Sequence, residues 1–543
     1  MLEKLNLSRD IFLIILVLLI SNFFLIINNG IYWDTWTVFN ETYPIEYVES
    51  GKPYLKYFFD SFLYFNNYIS IMRISIFGWA ILSALTLRKI LSKIKYLSKF
   101  DIIWITLIFA VFPVNNAVIN LSILNYPFTV LLFYLGILTA FEYQEKKKPL
   151  FRLLSLLLFF CSFTTNSILS YYAIAYILLF LHSISFNFSL TSFLKNMFNY
   201  SIKKIDFFLL PFIFFLIRKH FWTPFGSYSG YNSISLSNLK KGLIYSTYPS
   251  FYQAFVLPIL ECFKDLDFYS ISIFVFTFTI VFNLFNIKSK SIVIKKKKLT
   301  FPISLLTFGL FAFFFSVFPY RLVLKPTDLQ DWFSRHQLLT PFPCSLILYS
   351  TIRALPIRQN FLVIVLAGIV SIMSLQNIRY YLWYQVDHAK QITIIDWLKN
   401  NNEVKYNTSF YVEDNSRSLN ANNRAIRYYE YAGYMQKAFG NQKRFAIEKS
   451  DYPNFTKAIL NRNTEGLIVD GIPNNIFSRR YLMGEHKHTK PTHYITIEQK
   501  WNPSFIEKIG LTLKKYLNPE EYKKKSSELI DISIKEVDKN EKV

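Results

Sequence analysis

Apolar runs recur along this chain at lengths that match a lipid bilayer, and that recurrence limits its fold more than any other feature. A hydrocarbon core of ~30 Å takes about 20 apolar residues in helical form, and fewer where a short helix is buried among others. Runs of this kind lie near 11–29, 69–87, 101–114, 125–141, 150–165, 166–182, 206–219, 269–286, 300–319, 338–352 and 359–375, about eleven in all. Backbone groups inside hydrocarbon must bond to one another, so each run is expected to be a helix. Composition agrees, since 52% of the 543 residues are hydrophobic, 19% are aromatic and only 18% are charged. A single soluble domain does not have that profile. The expected fold is a polytopic α-helical membrane protein with about eleven transmembrane helices.

A formal charge of +24 would suit a nucleic-acid binder only if the basic residues shared one soluble face. Here they fall in short blocks between apolar runs: Arg88 to Lys99, Lys146 to Lys148, Lys195 to Lys204, Lys288 to Lys298, and Arg353 with Arg358. These blocks occupy alternate loops, as the positive-inside rule requires. The rule places the N-terminus inside, and the stretch after the first helix and everything beyond Leu375 outside. The first run, Ile11 to Ile27, is followed by no small-residue cleavage site and reads as a retained helix. The segment "GLIYSTYPSFYQAFVLPILECF" from Gly242 would put Lys295 to Lys298 outside if it crossed, so it is expected to be interfacial or re-entrant.

Composition changes after the last span. Residues 1–375 are expected to form the membrane domain, and 376–543 a mixed α/β domain on the outer face. In the latter, "VDHAKQITIIDWLKNN" reads as an amphipathic helix, "NTSFYVED", "GLIVDGIPNN" and "HYITIEQ" as strands, and "SFIEKIGLTLKKYL" as a helix. The stretch from Lys523 reads as a loosely ordered polar tail. No internal repeat is visible, and Cys161, Cys262 and Cys344 sit in apolar runs without a CxxC partner. His486, His488 and His493 lack the cysteines or helical register of a zinc site and read as loop residues.

The candidate chemistry lies in the outer loops. "GIYWDTWTVFNETYPIEYVESGKP" leaves the first helix with Asp34 between Trp33 and Trp36. Tryptophan anchors at membrane interfaces, so the pair would fix Asp34 at a constant depth. A desolvated carboxylate held there can act as a general base toward a hydroxyl, while a solvated one merely keeps the loop wet. Cations that run against the positive-inside trend occur in three places. Arg321, Lys325, Arg335 and His336 lie in "YRLVLKPTDLQDWFSRHQLLTPFP", Arg218 ends the span before the Gly- and Tyr-rich "FGSYSGYN", and Lys52 and Lys56 follow Asp34. Arginine forms charge-assisted, bidentate hydrogen bonds to phosphate. Each cation has an ordinary reading as well: a salt bridge of Arg335 with Asp331, or snorkelling by Lys219. Tyr228 and Tyr231 could stack on a sugar ring. Arg73, in the second span, must be paired or near an interface.

A first helix, an acidic loop beginning at Asp34, a loop-borne helix around Tyr47 and the G-x-P turn of "GKPYLKYF" together resemble the GT-C superfamily of membrane glycosyltransferases, in the branch of protein mannosyltransferases and lipid A aminoarabinose transferases. "SRHQLLTP" likewise resembles the late R-Y-x-L-x-x-P element of bacterial members, with His336 in place of tyrosine. The resemblance implies a GT-C-like fold and an inverting transferase. It would move a sugar from a polyprenyl-phosphate donor to an outer-face acceptor, with Asp34 as the catalytic acid. Many relatives have a second acid beside the first; Thr35 stands there in this chain, which leaves Glu41 as the alternative. The implied donor-phosphate ligands are Arg335, Arg321, Arg218, Lys52 and Lys325, and the substrate contacts are Trp33, Trp36, His336, Tyr228 and Tyr231. No metal or other cofactor is required, although some relatives bind a divalent cation. The lipid bilayer, the lipid-linked donor and an acceptor are the expected partners, with no nucleic acid, and the expected location is a bacterial inner membrane with the active face in the periplasm. A transporter or flippase of a lipid-linked or anionic substrate is the alternative, as is a surface-polysaccharide polymerase or ligase. A translocation path needs polar groups deep in the spans, where only Thr164, Thr165 and Asn166 stand out.

Overall fold

A computed structural model describes residues 9–36, 45–183, 190–225, 228–230, 236–289, 300–329, 331–441, 444–453, 468–469, 472–473 and 491–537. Helices stand at all of the expected positions. They are α1 (Arg9–Ile26), α3 (Tyr68–Ser92), α4 (Lys99–Val111), α5 (Asn125–Lys146), α6 (Pro149–Ser162), α7 (Ser167–Ser183), α8 (Ile205–Phe221), α10 (Phe268–Ser289), α11 (Thr300–Leu322), α12 (Pro341–Ala354) and α13 (Gln359–Asn400), with α2 (Tyr54–Leu63) and α9 (Leu236–Tyr245) in loops. Among the described residues, six stretches are long and apolar enough to cross a bilayer: Arg9–Ile26, Tyr68–Ser92, Leu121–Lys146, Phe268–Phe285, Phe301–Leu322 and Gln359–Asn400. The remaining helices, α4, α6, α7, α8 and α12, have 13 to 17 residues. At 1.5 Å per residue they fall short of the hydrocarbon thickness, and α4 is almost wholly enclosed by its neighbours. The protein is therefore a membrane-embedded helical bundle with six candidate spans, by length and composition, among the described residues.

The basic loops collect at one end of the bundle. Arg88 and Lys99 pair with Asp10 at 2.7 and 3.4 Å, Lys93 with Glu142 and Glu145 at 2.8 and 2.6 Å, and Arg152 with Asp206 at 2.6 Å. Ser98 and Asp101 cap the start of α4 at the same end, where Asp101 also accepts a hydrogen bond from Tyr349. The opposite end carries residues 27–36, 115–124, 218–225 and 320–340 together with the C-terminal domain.

Helix α13 joins the two parts. It has 42 residues, ~63 Å of helix, and runs without a break through the 375–376 boundary, so the amphipathic helix expected at "VDHAKQITIIDWLKNN" is its second half. Beyond it a four-stranded mixed sheet has the order β2-β1-β3-β4, where β1 is Ser409–Asp414, β2 Phe445–Glu448, β3 His493–Gln499 and β4 Ile530–Glu536. β1 pairs in parallel with β2 and β3, and β3 pairs antiparallel with β4. Helices α14 (Tyr428–Phe439), α15 (Phe505–Leu517) and α16 (Pro519–Ser527) flank it. "GLIVDGIPNN" contributes two short antiparallel strands, Ile468–Val469 and Ile472–Pro473. The expected loose tail is corrected by α16 and β4. Ile530, Ile532 and Ile534 alternate with polar residues in a half-buried strand pattern, which the surrounding lysines and glutamates obscure in a composition window.

The segment from Gly242 is broken into α9, a turn of helix at Tyr248–Phe251, a π-helical turn at Tyr252–Val256 and Leu257–Glu261. No piece has the length of a span.

Candidate active site

The turn after α1 is built from backbone carbonyls that need donors. Arg73, fully buried in α3, donates to the carbonyls of Asn28 (3.3 Å), Gly30 (3.1 Å) and Ile119. Its charge in the second span is thus compensated by carbonyl dipoles, as the sequence requires. The Asn28 side chain accepts from Gly30 N (2.8 Å) and the Tyr32 hydroxyl (3.0 Å), closing the turn on itself.

Trp33 then takes a left-handed backbone, φ 45°, which costs a side-chain-bearing residue energy unless neighbours hold it there. The C-terminal domain does so. Trp33 N donates to Glu430 Oε2 (3.1 Å), and Glu430 is clamped by Arg424 Nη1 at 2.7 and 2.8 Å. Arg424 also forks onto Asp387 of α13 through Nε (2.9 Å) and Nη2 (3.2 Å), with all three side chains fully buried. Next in the chain, Asp34 receives a hydrogen bond on Oδ1 from the Tyr429 hydroxyl (3.1 Å). Burial first, and then the charge of Asp34, push the Tyr429 hydroxyl well above the usual tyrosine range, so it stays protonated and donates. Thr35 follows, buried and donating to Asn120.

Trp33 and Trp36 do not stand at a lipid interface. They are 2% and 3% exposed, enclosed between the first turn and the C-terminal domain. Trp36 belongs to the domain's core with Ile31, its ring set edge-on to Tyr434 (5.1 Å) and against Gly433, where an added Cβ would come within 2.4 Å of it. The expected membrane anchoring is corrected: packing, rather than headgroups, fixes this turn.

Trp33 also links Asp34 to the cations. Its ring lies 5.7 Å from that of Trp332, tilted by 30°, and Arg335 Cζ sits 4.0 Å from the centre of the Trp332 ring. Arg335 Nη1 donates to the Trp332 carbonyl (2.9 Å). Both pieces rest on one loop, because Thr35 bonds Asn120 and Ala117 N donates to Ser334 Oγ (2.8 Å).

The other expected cations converge here. Burial and the nearby charges of Arg335 and Lys52 pull the Lys325 ammonium down to about 7, and burial with Arg218 brings Lys52 to about 8. Loop 47–56 docks on the end of α8 to bring Lys52 in. Phe225 N donates to Glu49 O (2.9 Å), Tyr54 meets the Trp222 ring at 5.6 Å, and Gly51, at φ 71°, leaves only 2.1 Å between the place of a Cβ and Trp222 O. Arg321 is oriented by Ser250 Oγ (2.8 Å) and Thr327 Oγ1 (3.0 Å), which ties the broken segment after Gly242 into the site. Among the described residues, Lys52, Arg218, Arg321 and Arg335 form no ion pair closer than 4.0 Å. Lys56, by contrast, pairs with Asp60 at 3.3 Å.

His336 supports the loop from beneath. It is 3% exposed, donates from Nδ1 to Pro326 O (2.5 Å) and lies 4.8 Å from the Tyr320 ring. Burial, then the charge of Arg335, hold its pKa well below the usual range, leaving it neutral. Trp33, Trp36 and His336, expected as substrate contacts, therefore have little surface to offer a ligand. Tyr228 lies in the short turn after Phe225. Glu41, Tyr231, His486, His488 and the Asp331 side chain lie outside the described residues. His493 is in β3, and among the described residues no three His, Cys, Asp or Glu side chains cluster as a metal site would need. Sequence reasoning missed Asp387, Arg424, Tyr429, Glu430 and Trp332. Their only signal is charge and aromaticity in segments remote from Asp34. No protein-family model, curated protein or solved structure matches this chain.

Proposed function

We propose that this protein is an inverting, GT-C-type glycosyltransferase that moves a sugar from a polyprenyl-phosphate donor to an acceptor hydroxyl at the end of the bundle carrying the C-terminal domain. The observation that supports it most is the convergence of Lys52, Arg218, Arg321, Lys325 and Arg335, drawn from three distant segments, beside the turn in which Asp34 is clamped. Arg321 is partly balanced by Asp328, but Lys52 with Arg218, and Lys325 with Arg335 and Lys52, are like charges out of full solvent that raise one another's energy, and an anion entering among them relieves both desolvation and repulsion. A lipid-borne phosphate meets that need. Asp34 takes the proton of the acceptor hydroxyl as its oxygen bonds to the anomeric carbon. The bond from that carbon to the phosphate oxygen breaks on the opposite face, and its electron pair leaves with the phosphate. The cations stabilise the charge that grows there. Tyr429, donating to Asp34, orients the carboxylate toward its proton. In this reading the site faces the extracytoplasmic side.

The test is transfer of labelled sugar from a pool of polyprenyl-phosphate sugars to acceptors in reconstituted vesicles. Asp34→Asn is expected to abolish transfer while donor binding survives. Wild-type turnover in that variant would reject Asp34 as the base, and passage of the lipid across the bilayer without a glycosidic product would favour a flippase.

A further inference from the structure

Helix α15 carries an apolar stripe that the described residues leave exposed. At 100° per residue, Ile506, Gly510, Leu513 and Leu517 fall within about 60° of one another along the helix. Ile506 is 39% exposed, Leu513 40% and Leu517 81%, and a Cβ added at Gly510 would meet open space. The opposite face is buried in the C-terminal domain through Leu511 and Thr512. Between the two faces, Phe505 and Ile509 pack on core residues at the end of the helical bundle.

The position of α15 says what lies against the stripe. The Tyr516 hydroxyl donates to Ile27 O (2.5 Å), one residue past the end of α1, and Lys508 Nζ stands 5.5 Å from the Trp383 ring of α13. Lys508 also feels the charges of Arg379, Asp265 and Asp267, which surround the start of α10. The helix is therefore tied to the end of α1, the start of α10 and the stretch of α13 just past its apolar run, the level at which apolar sequence gives way to polar. Beside it, Leu266, Phe268 and Tyr269 leave the head of α10 exposed and apolar as well. In water, this continuous strip would be costly; a helix lying in the bilayer interface buries its apolar face ~5–10 Å deep while its polar flank stays wet. Glu507 and Lys514 form that flank.

We infer that α15 is an interfacial membrane helix whose Ile506, Leu513 and Leu517 side chains insert among lipid chains, so that the C-terminal domain is seated on the bilayer. Through Tyr429 and Glu430 that seating sets the depth of Asp34, the task that sequence reasoning gave to the tryptophans. The inference does not depend on the reaction catalysed.

It is tested with the full chain in vesicles of phosphatidylethanolamine and phosphatidylglycerol, after replacing Cys161, Cys262 and Cys344 by alanine. An environment-sensitive nitrobenzoxadiazole label is attached in Leu513→Cys, in Leu517→Cys and, as a control, in Glu507→Cys. Labels at 513 and 517 are expected to emit at shorter wavelength, to be quenched by shallow doxyl lipids and to resist aqueous iodide, with the reverse at 507. Iodide quenching at 513 and 517 equal to that at 507 would overturn the inference. So would protection that disappears below one protein per vesicle, which would assign the stripe to a second copy of the chain.

Discussion

Arg424 joins α13 to the C-terminal domain through a fully buried ion network. Its guanidinium makes hydrogen bonds of 2.9 and 3.2 Å to Asp387 and of 2.7 and 2.8 Å to Glu430, and none of the three side chains is exposed. Arg424→Met keeps the bulk of the side chain and leaves two carboxylates facing each other in a dry seam. Breaking a buried pair in this way costs about 3–5 kcal/mol, mostly from the stranded charges. The triple change Arg424→Met, Asp387→Asn, Glu430→Gln removes those charges, while the amide oxygens can still accept from Trp33 N, Ala421 N and Arg427 N. Denaturant unfolding of the detergent-solubilised protein, followed by tryptophan fluorescence, is the assay. The single variant should lose most of the 3–5 kcal/mol and the triple variant should regain most of it. A single variant within ~0.5 kcal/mol of wild type, the scatter of ordinary surface changes, would refute the seam as described. Because Glu430 holds Trp33 N, the single variant should, under the proposed transferase reading, also lose transfer out of proportion to its loss of folded protein.

Three further outcomes follow from the same geometry. For the proposed polyprenyl-phosphate donor, binding should weaken as pH rises from about 6 to about 9, since Lys325 and Lys52 lose their protons near 7 and 8 while a phosphodiester keeps its charge. Bound phosphate raises both lysine pKa values, so affinity should start to fall at the free-enzyme values and level off only at the higher values of the complex, and Lys325→Arg should flatten the profile measured by donor titration. Gly51→Ala places a Cβ in a left-handed backbone at about 1–2 kcal/mol and 2.1 Å from Trp222 O, so the loop must lift off α8 and donor KM should rise about tenfold at constant fold by circular dichroism. Gly433→Ala improves helix propensity by ~1 kcal/mol yet drives a methyl into the Trp36 ring, so it should lower the unfolding midpoint rather than raise it.

Periodicity and charge alternation were sufficient to place the bundle. Apolar runs of bilayer length become helices because lipid offers the backbone no partner, and the basic loops share one end because the chain reverses at each crossing. Strands β1 and β3 and helix α15 were legible for the same local reason, a hydrophobic pattern within a single element. The cations of the site were legible as exceptions to the charge rule. Run length alone marks six stretches among the described residues as long enough to span, and leaves shorter apolar helices such as α4 to be assigned by their packing. Composition could not reveal β4, whose pairing partner begins 37 residues earlier at His493.

What tertiary structure alone decided is how Asp34 is held. Tyr429 and Glu430 lie almost 400 residues from Asp34 and Trp33, and the contacts between them exist only because α13 carries the second domain rigidly back over the end of α1. Trp33 and Trp36 could have faced lipid by residue type; the core formed by Ile31, Trp36 and Tyr434 draws them inward. Local sequence determines which residues can do chemistry at a membrane face, because propensity, charge and polarity act within a few residues. Long-range packing determines which of them meet, because burial energy is shared among segments that no local pattern connects.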